Sequence, residues 1–490
     1  MSVRKAFMWS ATGQVLSFLA GFGATVALAR ILSPRDTGVY AAGLAVLGML
    51  QAVSAFGVGS FIMRDEAVTR ATLATAFTVN LAICVLLSTL VFAGSYSSWV
   101  TAGEPMVGQV MRLLAVVPLL YAIEFTPAIM LQREMRFGVI SVVTVARVVV
   151  GAVVGILAAL AGARALSAAY GGIAGALVGA VGFAAAARHH VHIRLSVQGW
   201  RPLVSFGFKT LMVGGVSALA MRLSEIILSR MLGFAALGVF SRASTLSNTV
   251  FQNLYGAAAR VLFAKLADDH RAGAGLKRGY LQGLDVILAL MWPLLAGIAV
   301  LAAPAVDLLF GPRWSAAATP LTLLAIAQAI GLSFAMNHEL FVLRDEVGRQ
   351  GRLELVRSVV GLAAFVYGCT FGLTGAALGR VADTVVGAIL YVPLLSSLSG
   401  AGRRELATVY ARALALTAAA VAPAVAVMTH ARWEARASAP ALGVAVLIGG
   451  MLWLCLLRLL GHPLFADVAR AAARFRPRYA AAADLSTPPL

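Results

Sequence analysis

The chain has 490 residues, of which 60% are hydrophobic and 12% are charged, and its formal net charge is +19. Its mean hydropathy is +0.89. Soluble domains are about half apolar and about a quarter charged, so this composition excludes a soluble multidomain protein, a disordered chain and a small disulfide-stapled scaffold. A membrane protein with many spans remains, with no room for an additional soluble domain of ordinary size.

The apolar stretches predict about fourteen transmembrane helices, because each spanning helix needs about 20 apolar residues. In chain order these helices are placed near 10–29, 38–62, 71–95, 108–131, 141–162, 168–187, 206–228, 238–262, 280–302, 316–340, 355–372, 375–398, 409–429 and 438–457. No small-residue cleavage site follows the first stretch, so it is interpreted as a retained helix. Cys84, Cys369 and Cys455 lie singly in apolar runs and predict neither disulfides nor a metal site.

The distribution of positive charge predicts the orientation of the chain. With the amino terminus placed inside, Lys and Arg in cytoplasmic segments outnumber those in external segments about three to one, as the positive-inside rule expects. This bias supports an even number of spans with both termini in the cytoplasm. Because topology explains most of the net charge, nucleic-acid binding is not expected.

Composition divides the chain into segments. A long polar connection with Arg188, three histidines and Trp200 follows the sixth predicted helix. The predicted segments are an amino-terminal six-helix lobe at 1–187, a cytoplasmic linker at 188–205, a carboxyl-terminal six-helix lobe at 206–398, two additional transmembrane helices at 399–460 and a cytoplasmic basic tail at 461–490.

A short repeat relates the two halves of the chain. Residues 29–40 and 229–240 match at a constant offset of 200. The matched pairs are Arg30 with Arg230, Leu32 with Leu232, Gly38 with Gly238, Val39 with Val239 and Tyr40 with Phe240. Each copy lies between an odd-numbered and an even-numbered helix, so the repeat is parallel, with its axis along the membrane normal. Transporters built this way bind substrate between the two halves.

The repeated residues also have local interpretations. Gly38 and Gly238 precede a helix, where the chain has to turn, so they are interpreted as turn residues. Arg30 and Arg230 end the preceding helices, where a positive charge favours the dipole of its own helix.

Charged residues inside apolar helices indicate cavities, pairs or snorkelling side chains, because a charge at the bilayer centre costs from about 2.5 to more than 10 kcal/mol. In the predicted helices arginines outnumber carboxylates. The residues are Arg112, Glu124, Arg147, Arg222, Glu225, Arg242, Arg260, Asp285, Arg357, Arg380 and Asp383. Arg112, Arg147 and Arg357 are expected to snorkel, and Asp285 to favour the positive end of the ninth helix.

The eighth helix carries a polar stripe. At 100° per residue, one face holds Arg242, Thr245, Thr249, Asn253, Gly256 and Arg260. Such a face cannot contact lipid cheaply, so it is interpreted as the lining of a cavity. The alternative is that both arginines snorkel to the two interfaces while the threonines bond their own backbone.

Two charge pairs and one isolated acid complete the candidates. Arg222 and Glu225, and likewise Arg380 and Asp383, are three residues apart on a helix and can pair. Each pair serves either as a gate or as a structural pair. Glu124 lies near two prolines that free backbone carbonyls, and a buried carboxyl group there could carry a proton.

Enzyme chemistry is not indicated. The sequence has no phosphate-binding P-loop, dinucleotide fingerprint, paired-histidine zinc motif or serine nucleophile motif, so no cofactor or resident metal is expected. A membrane-embedded polymerase or glycosyltransferase would need a sizeable external loop, and the longest predicted external connections, 96–107 and 430–437, are short.

Several motifs resemble the polysaccharide transporter (lipid-linked oligosaccharide flippase) family, which shares a superfamily with multidrug and toxin extrusion proteins. The segment LARILSPRDTGVY at 28–40 resembles the first loop of that family. Further resemblances, in family order over roughly 1–400, are FGVGSFIMR at 56–64, LQREMRF at 131–137, LSRMLG at 228–233, LGVFSRA at 237–243 and LLFGPRW at 308–314.

This resemblance implies two six-helix lobes around a central cavity plus two further helices. It implies export of an undecaprenyl-pyrophosphate-linked oligosaccharide across the bacterial inner membrane by alternating access. Coupling to H+ or Na+, and partnership with a polysaccharide polymerase and a chain-length regulator, are expectations from the family. Members often carry an acid in the middle of the seventh helix. Here Ser224 stands at that position and Glu225 beside it, so the coupling role does not transfer directly.

A pyrophosphate substrate would be bound by arginines, because the guanidinium fork contacts phosphate oxygens bidentately. The predicted substrate-binding residues are Arg242, Arg260, Arg222, Asn253, Thr249 and Arg380. The predicted coupling or gating residues are Glu225, Glu124 and Asp383. The alternative function is a cation-coupled antiporter of small molecules on the same fold. It would need an acidic, aromatic-lined cavity, which the excess of arginine disfavours.

Overall fold

The computed structural model describes residues 3–54, 59, 62–63, 69–190, 195–271, 275–433 and 438–465. Over these residues every regular element is a helix. The helices are α1 (Val3–Ile31), α2 (Pro34–Ser54), α3 (Arg70–Gly94), α4 (Ser98–Thr101), α5 (Pro105–Leu114), α6 (Val117–Arg133), α7 (Phe137–Leu160), α8 (Leu166–Ala186), α9 (Trp200–Arg271), α10 (Lys277–Val300), α11 (Ala302–Phe310), α12 (Ala318–Gly331), α13 (Asn337–Leu343), α14 (Val347–Cys369), α15 (Gly372–Ser399), α16 (Arg403–His430) and α17 (Ala439–Leu459), with short 3-10 helices at Arg188–His190, Pro312–Ala317 and Leu332–Phe334.

The predicted all-α class is confirmed, and each of the fourteen predicted segments overlaps one or more of these helices. Among the described residues, 11 stretches are long and apolar enough to cross a membrane. Helix α14 is not one of them, and it carries Arg352, Glu354 and Arg357 within its length. The two spans inside α9 count once. The number fourteen therefore stays a prediction.

A broad apolar surface surrounds the helices. Leu19, Leu157, Leu447 and Leu459 are 57%, 59%, 65% and 76% exposed. Extensive apolar exposure of this kind marks a contact surface and is unusual for a soluble monomer. Together with the long apolar helices, it identifies a multi-pass membrane protein whose outer surface contacts lipid.

Two of the predicted spans are interrupted. The predicted helix at 108–131 consists of α5 and α6, with a break at 115–116 just before Pro118, which has no N–H to continue the hydrogen-bond ladder. The predicted helix at 316–340 ends early as α12. The next helix, α13, begins only after Met336, whose φ is 60°.

Helix α9 contains two spans joined at a kink. Gly233 has φ 84° and ψ 170°, a conformation that glycine adopts without steric cost. It separates the predicted seventh and eighth helices, which we call α9a (before Gly233) and α9b (after it). The helix begins at Trp200, inside the predicted linker 188–205. The division into lobes stays a prediction, and we refer to residues 3–190 and 200–399 as the amino-terminal and carboxyl-terminal halves.

The repeated glycines lie at the crossing of α2 and α9b. Both are inside helices, so their predicted role as turn residues is wrong. A Cβ atom on Gly38 or Gly238 would fall 2.9 Å from the backbone nitrogen of the other glycine. It would also overlap a carbonyl oxygen, that of Phe234 for Gly38 and that of Pro34 for Gly238. Because 34 and 234 differ by the same offset of 200, these contacts are reciprocal, as a two-fold axis between the helices requires.

The helix connections define two ends of the molecule. At one end, which we call the Arg30 face, Arg35 after α1 pairs with Glu104 before α5 at 2.6 Å. At the other end, the Arg133 face, Arg133 donates to the carbonyl oxygen of Ile62 at 2.6 Å. The sequence predicts that the Arg30 face is external and that the Arg133 face is cytoplasmic.

The main hydrophobic core joins the two halves near the Arg30 face. Val39 of α2, Leu237 of α9b and Trp314 are all buried in one cluster. The two last helices attach to the carboxyl-terminal half, where Leu416 and Leu457 pack against α10. The bundle is therefore closed at the Arg30 face by packed side chains from both halves.

Candidate functional site

A polar cavity of about 390 Å³ lies in the amino-terminal half, and we call it the amino-terminal cavity. Helices α1, α2, α6, α7 and α8 form most of its wall, and α9b of the other half completes it. Its polar lining residues are Thr25, Thr37, Tyr40, Tyr121, Arg147, Ser241, Arg242 and Thr245. The cavity therefore contains residues from both halves and two arginines.

Over the described ranges, Arg242 is the arginine of this cavity that pairs with no carboxylate. Its Cζ lies 5.7 Å from the centroid of the Trp314 ring. Its Nε is buried and has no hydrogen-bond partner, and Arg242 forms no ion pair in the described part of the chain. A guanidinium in this setting has N–H donors available to an anion in the cavity.

Arg147 lines the same cavity and is partly neutralised. Its Nη2 donates to Oε2 of Glu124, and its guanidinium also lies 5.4 Å from the ring centroid of Tyr121. The expectation that Arg147 snorkels is wrong, because α6 and α8 cover it and Glu124 holds it at the cavity wall. The predicted coupling residue Glu124 therefore acts directly on a cavity arginine.

Glycines provide the space that buried charged side chains occupy. A Cβ atom on Gly179 of α8 would overlap the Arg147 guanidinium. In the same way, one on Gly361 of α14 would overlap the Asp383 carboxylate, and one on Gly48 of α2 would lie 2.6 Å from Nε of Arg222. These glycines allow a charged group to lie flat against a neighbouring helix, away from lipid.

A second, smaller polar cavity of about 150 Å³ lies in the carboxyl-terminal half, and we call it the carboxyl-terminal cavity. It lies among α9, α12 and α15 of that half alone. Its polar lining residues are Ser224, Glu225, Ser244, Ser247, Asn248, Gln328, Arg380, Asp383 and Thr384. Gln328 Nε2 donates to Asn248 Oδ1 at 2.7 Å.

The charges around this cavity pair with one another. Asp383 accepts from Arg357 at 2.8 Å, and its other carboxylate oxygen lies 4.0 Å from Arg380. Arg357 also pairs with Glu354 at 2.5 Å, and Tyr391 donates to Glu354 at 3.1 Å. The structure brings together the predicted pair Arg380 and Asp383, and places Arg357 closer to the acid.

Arg357 does not snorkel, contrary to expectation. Helix α14 begins at Val347, so Arg357 lies in its third turn and not at its start, and only 18% of its side chain is exposed. The sequence offered a signal that was missed, because Glu354 and Arg357 are three residues apart on one helix.

Arg222 and Glu225 form the predicted pair. Arg222 Nη1 donates to Glu225 Oε2 at 3.0 Å. Arg222 crosses to the α2 backbone at Gly48, whereas Glu225 faces the carboxyl-terminal cavity. The pair therefore connects the two halves near the middle of the bundle.

Two residues of the predicted polar stripe of the eighth helix line a cavity. Arg242 and Thr245 line the amino-terminal cavity. Thr245 also donates to the carbonyl oxygen of Ser241, which is the backbone bond that the alternative interpretation proposed. The polar residues on the other side of α9b, Ser244, Ser247 and Asn248, line the carboxyl-terminal cavity. Their i, i+3, i+4 spacing was a usable signal that was missed.

Thr249 and Arg222 are predicted substrate residues that the described linings of the two cavities do not include. Thr249 is half-buried on α9b. The side chains of Asn253 and Arg260 lie outside the residues that the structure describes, so their roles stay predictions. Arg112 lies 5.1 Å from the ring centroid of Tyr96, near the Arg30 face.

The two repeat arginines cross between the halves. Arg30 donates to the carbonyl oxygens of Leu308 and Leu309, at 2.6 and 3.1 Å. Arg230 lies 4.9 Å from the ring centroid of Trp99 in the amino-terminal half. Arg30 lies in the last turn of α1, where its positive charge favours the dipole of that helix as predicted, and it also binds the carbonyl end of α11.

Asp285 has a partner that the sequence did not reveal. It lies in the third turn of α10, not in the first, and it is buried. Its Oδ2 is 3.0 Å from Nε2 of His462, which follows α17. This contact joins the segment after the last helix to α10, and neither residue lines one of the two polar cavities.

An apolar groove of about 470 Å³ faces the membrane. It is formed by α10, α11, α16 and α17, and its wall includes Pro293, Gly297, Ala424, Gly450 and Trp453. The small side chains in this wall leave an open groove beside the last two helices.

Fold and cavities together define a multi-pass helical membrane protein. The structure superimposes on "Lipid II flippase MurJ, inward closed conformation" with a TM-score of 0.72 at 12% identity, covering 94% of this chain and 100% of that one. An inward-facing multidrug resistance MATE family transporter of the MOP superfamily superimposes with a TM-score of 0.53 at 17% identity, covering 82% and 97%. At these identities the likeness establishes the fold.

The family follows from the sequence match. The family described as "Polysaccharide biosynthesis protein" matches residues 27–319, which is more than half of the chain. The chain therefore belongs to this family, and the resemblance seen in its motifs is confirmed.

Two relatives of known name are similar to this chain over most of its length. "Succinoglycan biosynthesis transport protein ExoT" of Rhizobium meliloti (strain 1021) is 24% identical over 66% of this chain and 65% of its own length. "Lipopolysaccharide biosynthesis protein WzxC" of Escherichia coli (strain K12) is 22% identical over 81% of this chain and 82% of its own.

Proposed function

We propose that this protein is a flippase that exports an undecaprenyl-pyrophosphate-linked oligosaccharide, a polysaccharide repeat unit, across the bacterial inner membrane. The observation that carries the proposal is the amino-terminal cavity. Among the residues that the structure describes, Arg242 there pairs with no carboxylate and Arg147 pairs only with Glu124. A cavity with excess positive charge in a membrane attracts an anion. The guanidinium fork matches phosphate oxygens.

The contrast between the cavities supports one of them as the anion site. The carboxyl-terminal cavity contains Glu225 and Asp383, each paired with an arginine, so its charges are balanced without a ligand. Arg380 and Arg222 are therefore structural partners more than substrate ligands. The diphosphate binds at Arg242 and Arg147.

The lipid tail needs a different environment from its head group. The apolar groove beside α16 and α17 has a volume of about 470 Å³ and opens to the membrane surface. We assign the polyprenyl chain to this groove, so that the tail stays in contact with lipid while the diphosphate crosses through the bundle.

Transport proceeds by alternating access between the two halves. The Arg30 face is external, both termini are cytoplasmic, and the cavity loads from the Arg133 face. An inside-negative potential favours outward movement of an anionic head by about 2.3 kcal/mol per charge per 100 mV. Glu124 is the first candidate for H+ or Na+ coupling, since it already holds a cavity arginine.

The relatives support a place in polymer export and not an enzymatic role. Their names concern transport in succinoglycan biosynthesis and biosynthesis of lipopolysaccharide. A flippase hands its cargo to a polysaccharide polymerase, and a chain-length regulator is a further expected partner. A multidrug antiporter shares the fold, but the cavity arginines repel cationic drugs.

The test is a strain that lacks this gene, in which surface polysaccharide and membrane-bound lipid-linked repeat units are quantified by mass spectrometry. We expect polymer to be lost while intact lipid-linked units accumulate. Arg242→Ala should fail to restore export. Arg112→Ala is the matched control, because it also removes an arginine from a helix but lies outside the described linings of both cavities, and it should restore export.

Normal polymer in the deletion strain, with altered sensitivity to cationic drugs, would overturn the proposal in favour of the antiporter. Full export by Arg242→Ala would show that the diphosphate does not bind in the amino-terminal cavity. Protein level in the membrane is measured for both variants, so that a folding defect is distinguished from a transport defect.

A further inference from the structure

Trp314 occupies a position between the closed end of the bundle and the amino-terminal cavity. It lies in the 3-10 helix Pro312–Ala317 and has no exposed surface. Its indole Nε1 donates to the carbonyl oxygen of Ala29 at 2.8 Å. Trp314 belongs to the carboxyl-terminal half and Ala29 to the amino-terminal half, so this hydrogen bond exists only while the Arg30 face is closed.

The same indole ring contacts the guanidinium of Arg242, whose Cζ lies 5.7 Å from the ring centroid. Trp provides the most favourable aromatic face for a cation. A guanidinium that stacks on an aromatic ring keeps its N–H donors free for other partners. The ring therefore compensates the buried charge of Arg242 while the donors stay available to phosphate oxygens.

Arg30 strengthens the same closure. It donates to the carbonyl oxygens of Leu308 and Leu309, shortly before Trp314 in the chain. Three hydrogen bonds thus tie residues 29–30 to residues 308–314. Opening the Arg30 face breaks all three, and the indole then loses the acceptor that fixes the orientation of its ring.

Building on the proposed function, we propose that Trp314 is a positioning residue that couples anion binding at Arg242 to closure of the Arg30 face. While the face is closed, the bond to Ala29 fixes the ring and the ring fixes Arg242 for the diphosphate. When the face opens, Arg242 loses that support and the diphosphate is released there. By thermodynamic reciprocity, binding of the anion favours closure to the same extent.

The coupling is measured with a cysteine that reports on opening. Leu237 is fully buried in the core at the Arg30 face and does not line the amino-terminal cavity. Leu237→Cys is introduced after Cys84, Cys369 and Cys455 are replaced by Ala. Its reaction with a maleimide is timed with and without farnesyl diphosphate as the probe. In this background we expect the probe to slow labelling at least threefold.

Trp314→Phe keeps an aromatic face but loses the Nε1 donor. We expect faster labelling without the probe, loss of the slowing by the probe, and a Kd for farnesyl diphosphate within about threefold of the starting value. Trp292→Phe is the matched control, since Trp292 also donates a 2.8 Å bond to a carbonyl oxygen, that of Ala329, but within one half. In labelling rate, in slowing by the probe and in Kd, Trp292→Phe should match the Leu237→Cys reporter protein that retains Trp292.

Arg30→Gln tests the coupling without touching Trp314. Arg30 is exposed and does not line the cavity, so its loss should be tolerated. If closure and binding are coupled, weakening the closure raises the Kd severalfold, because the binding-competent state is less populated. An unchanged Kd in Arg30→Gln, or slowing by the probe in Trp314→Phe equal to that in Trp292→Phe, overturns the inference. No binding to the protein with all three residues intact would overturn the proposed function as well.

Discussion

The two polar cavities occupy related places in the two halves, yet their charges differ. Tyr40 of α2 lines the amino-terminal cavity, and its repeat partner Phe240 lines the carboxyl-terminal cavity. The amino-terminal cavity retains Arg242 without a carboxylate among the described residues. In the carboxyl-terminal cavity, Asp383 and Glu225 have arginine partners. A shared framework thus supports one balanced cavity and one that has room for an anion.

The difference arises from which elements build each wall. The carboxyl-terminal cavity is lined by residues of its own half. The lining of the amino-terminal cavity also includes Arg242 and Thr245, which belong to α9b of the other half. When the halves move relative to each other, only a cavity of the second kind changes its lining. The repeat position of Arg242 is Ala42, so the arrangement has no counterpart in the amino-terminal copy.

The largest effects are expected where the halves are alike. Gly38→Val and Gly238→Val should each abolish the folded protein, because the added side chain would meet backbone of the other helix. Overpacking that side chains can relieve costs about 1–3 kcal/mol, and rigid backbone raises that cost. Gly23→Val and Gly443→Val are controls at positions with open space. Yield of monodisperse protein in detergent measures the effect, and a normal yield for either crossing variant contradicts the reciprocal contact.

A smaller effect is expected on thermal stability, which should differ between substitutions in the two cavities. Asp383→Ala removes the carboxylate that pairs with both Arg380 and Arg357. Arg357 keeps its second partner, Glu354. Removing one partner of a buried ion pair costs about 3–5 kcal/mol, so the melting temperature should fall clearly. Arg242→Ala removes a cation with no ion-pair partner among the described residues and should leave it nearly unchanged. Equal losses in the two variants would show that Arg242 is also a structural partner.

The smallest effect is expected on ligand affinity, which should change with a substitution beside the amino-terminal cavity and not with one in the carboxyl-terminal cavity. Glu124→Gln removes the carboxylate that forms an ion pair with Arg147, so the amino-terminal cavity becomes more positive. We expect the Kd for farnesyl diphosphate to fall about three- to tenfold, which corresponds to about 1 kcal/mol of added attraction. Glu225→Gln changes the other cavity and should alter the Kd less than twofold. Equal tightening in both variants would place the anion between the cavities.

Much of the architecture was predictable from the sequence alone. Apolar runs of about 20 residues can satisfy their backbone in a bilayer only as helices, so composition and run length determined the all-α class and the positions of the spans. The repeat at 29–40 and 229–240 indicated a two-fold relation between the halves, because matching residues recur at a constant offset. The pairs at i, i+3 on one helix, such as Arg222 with Glu225, followed from helical periodicity.

Only the tertiary structure decided how the charges are shared between helices. Arg147 with Glu124, Arg357 with Asp383 and Arg242 with Trp314 are pairs from different helices, and helix periodicity carries no information about which faces of distant helices meet. For the same reason, the roles of Gly38 and Gly238 became clear only from the helix crossing. The sequence determined that charges lie in the membrane, and packing determined which of them lack a carboxylate.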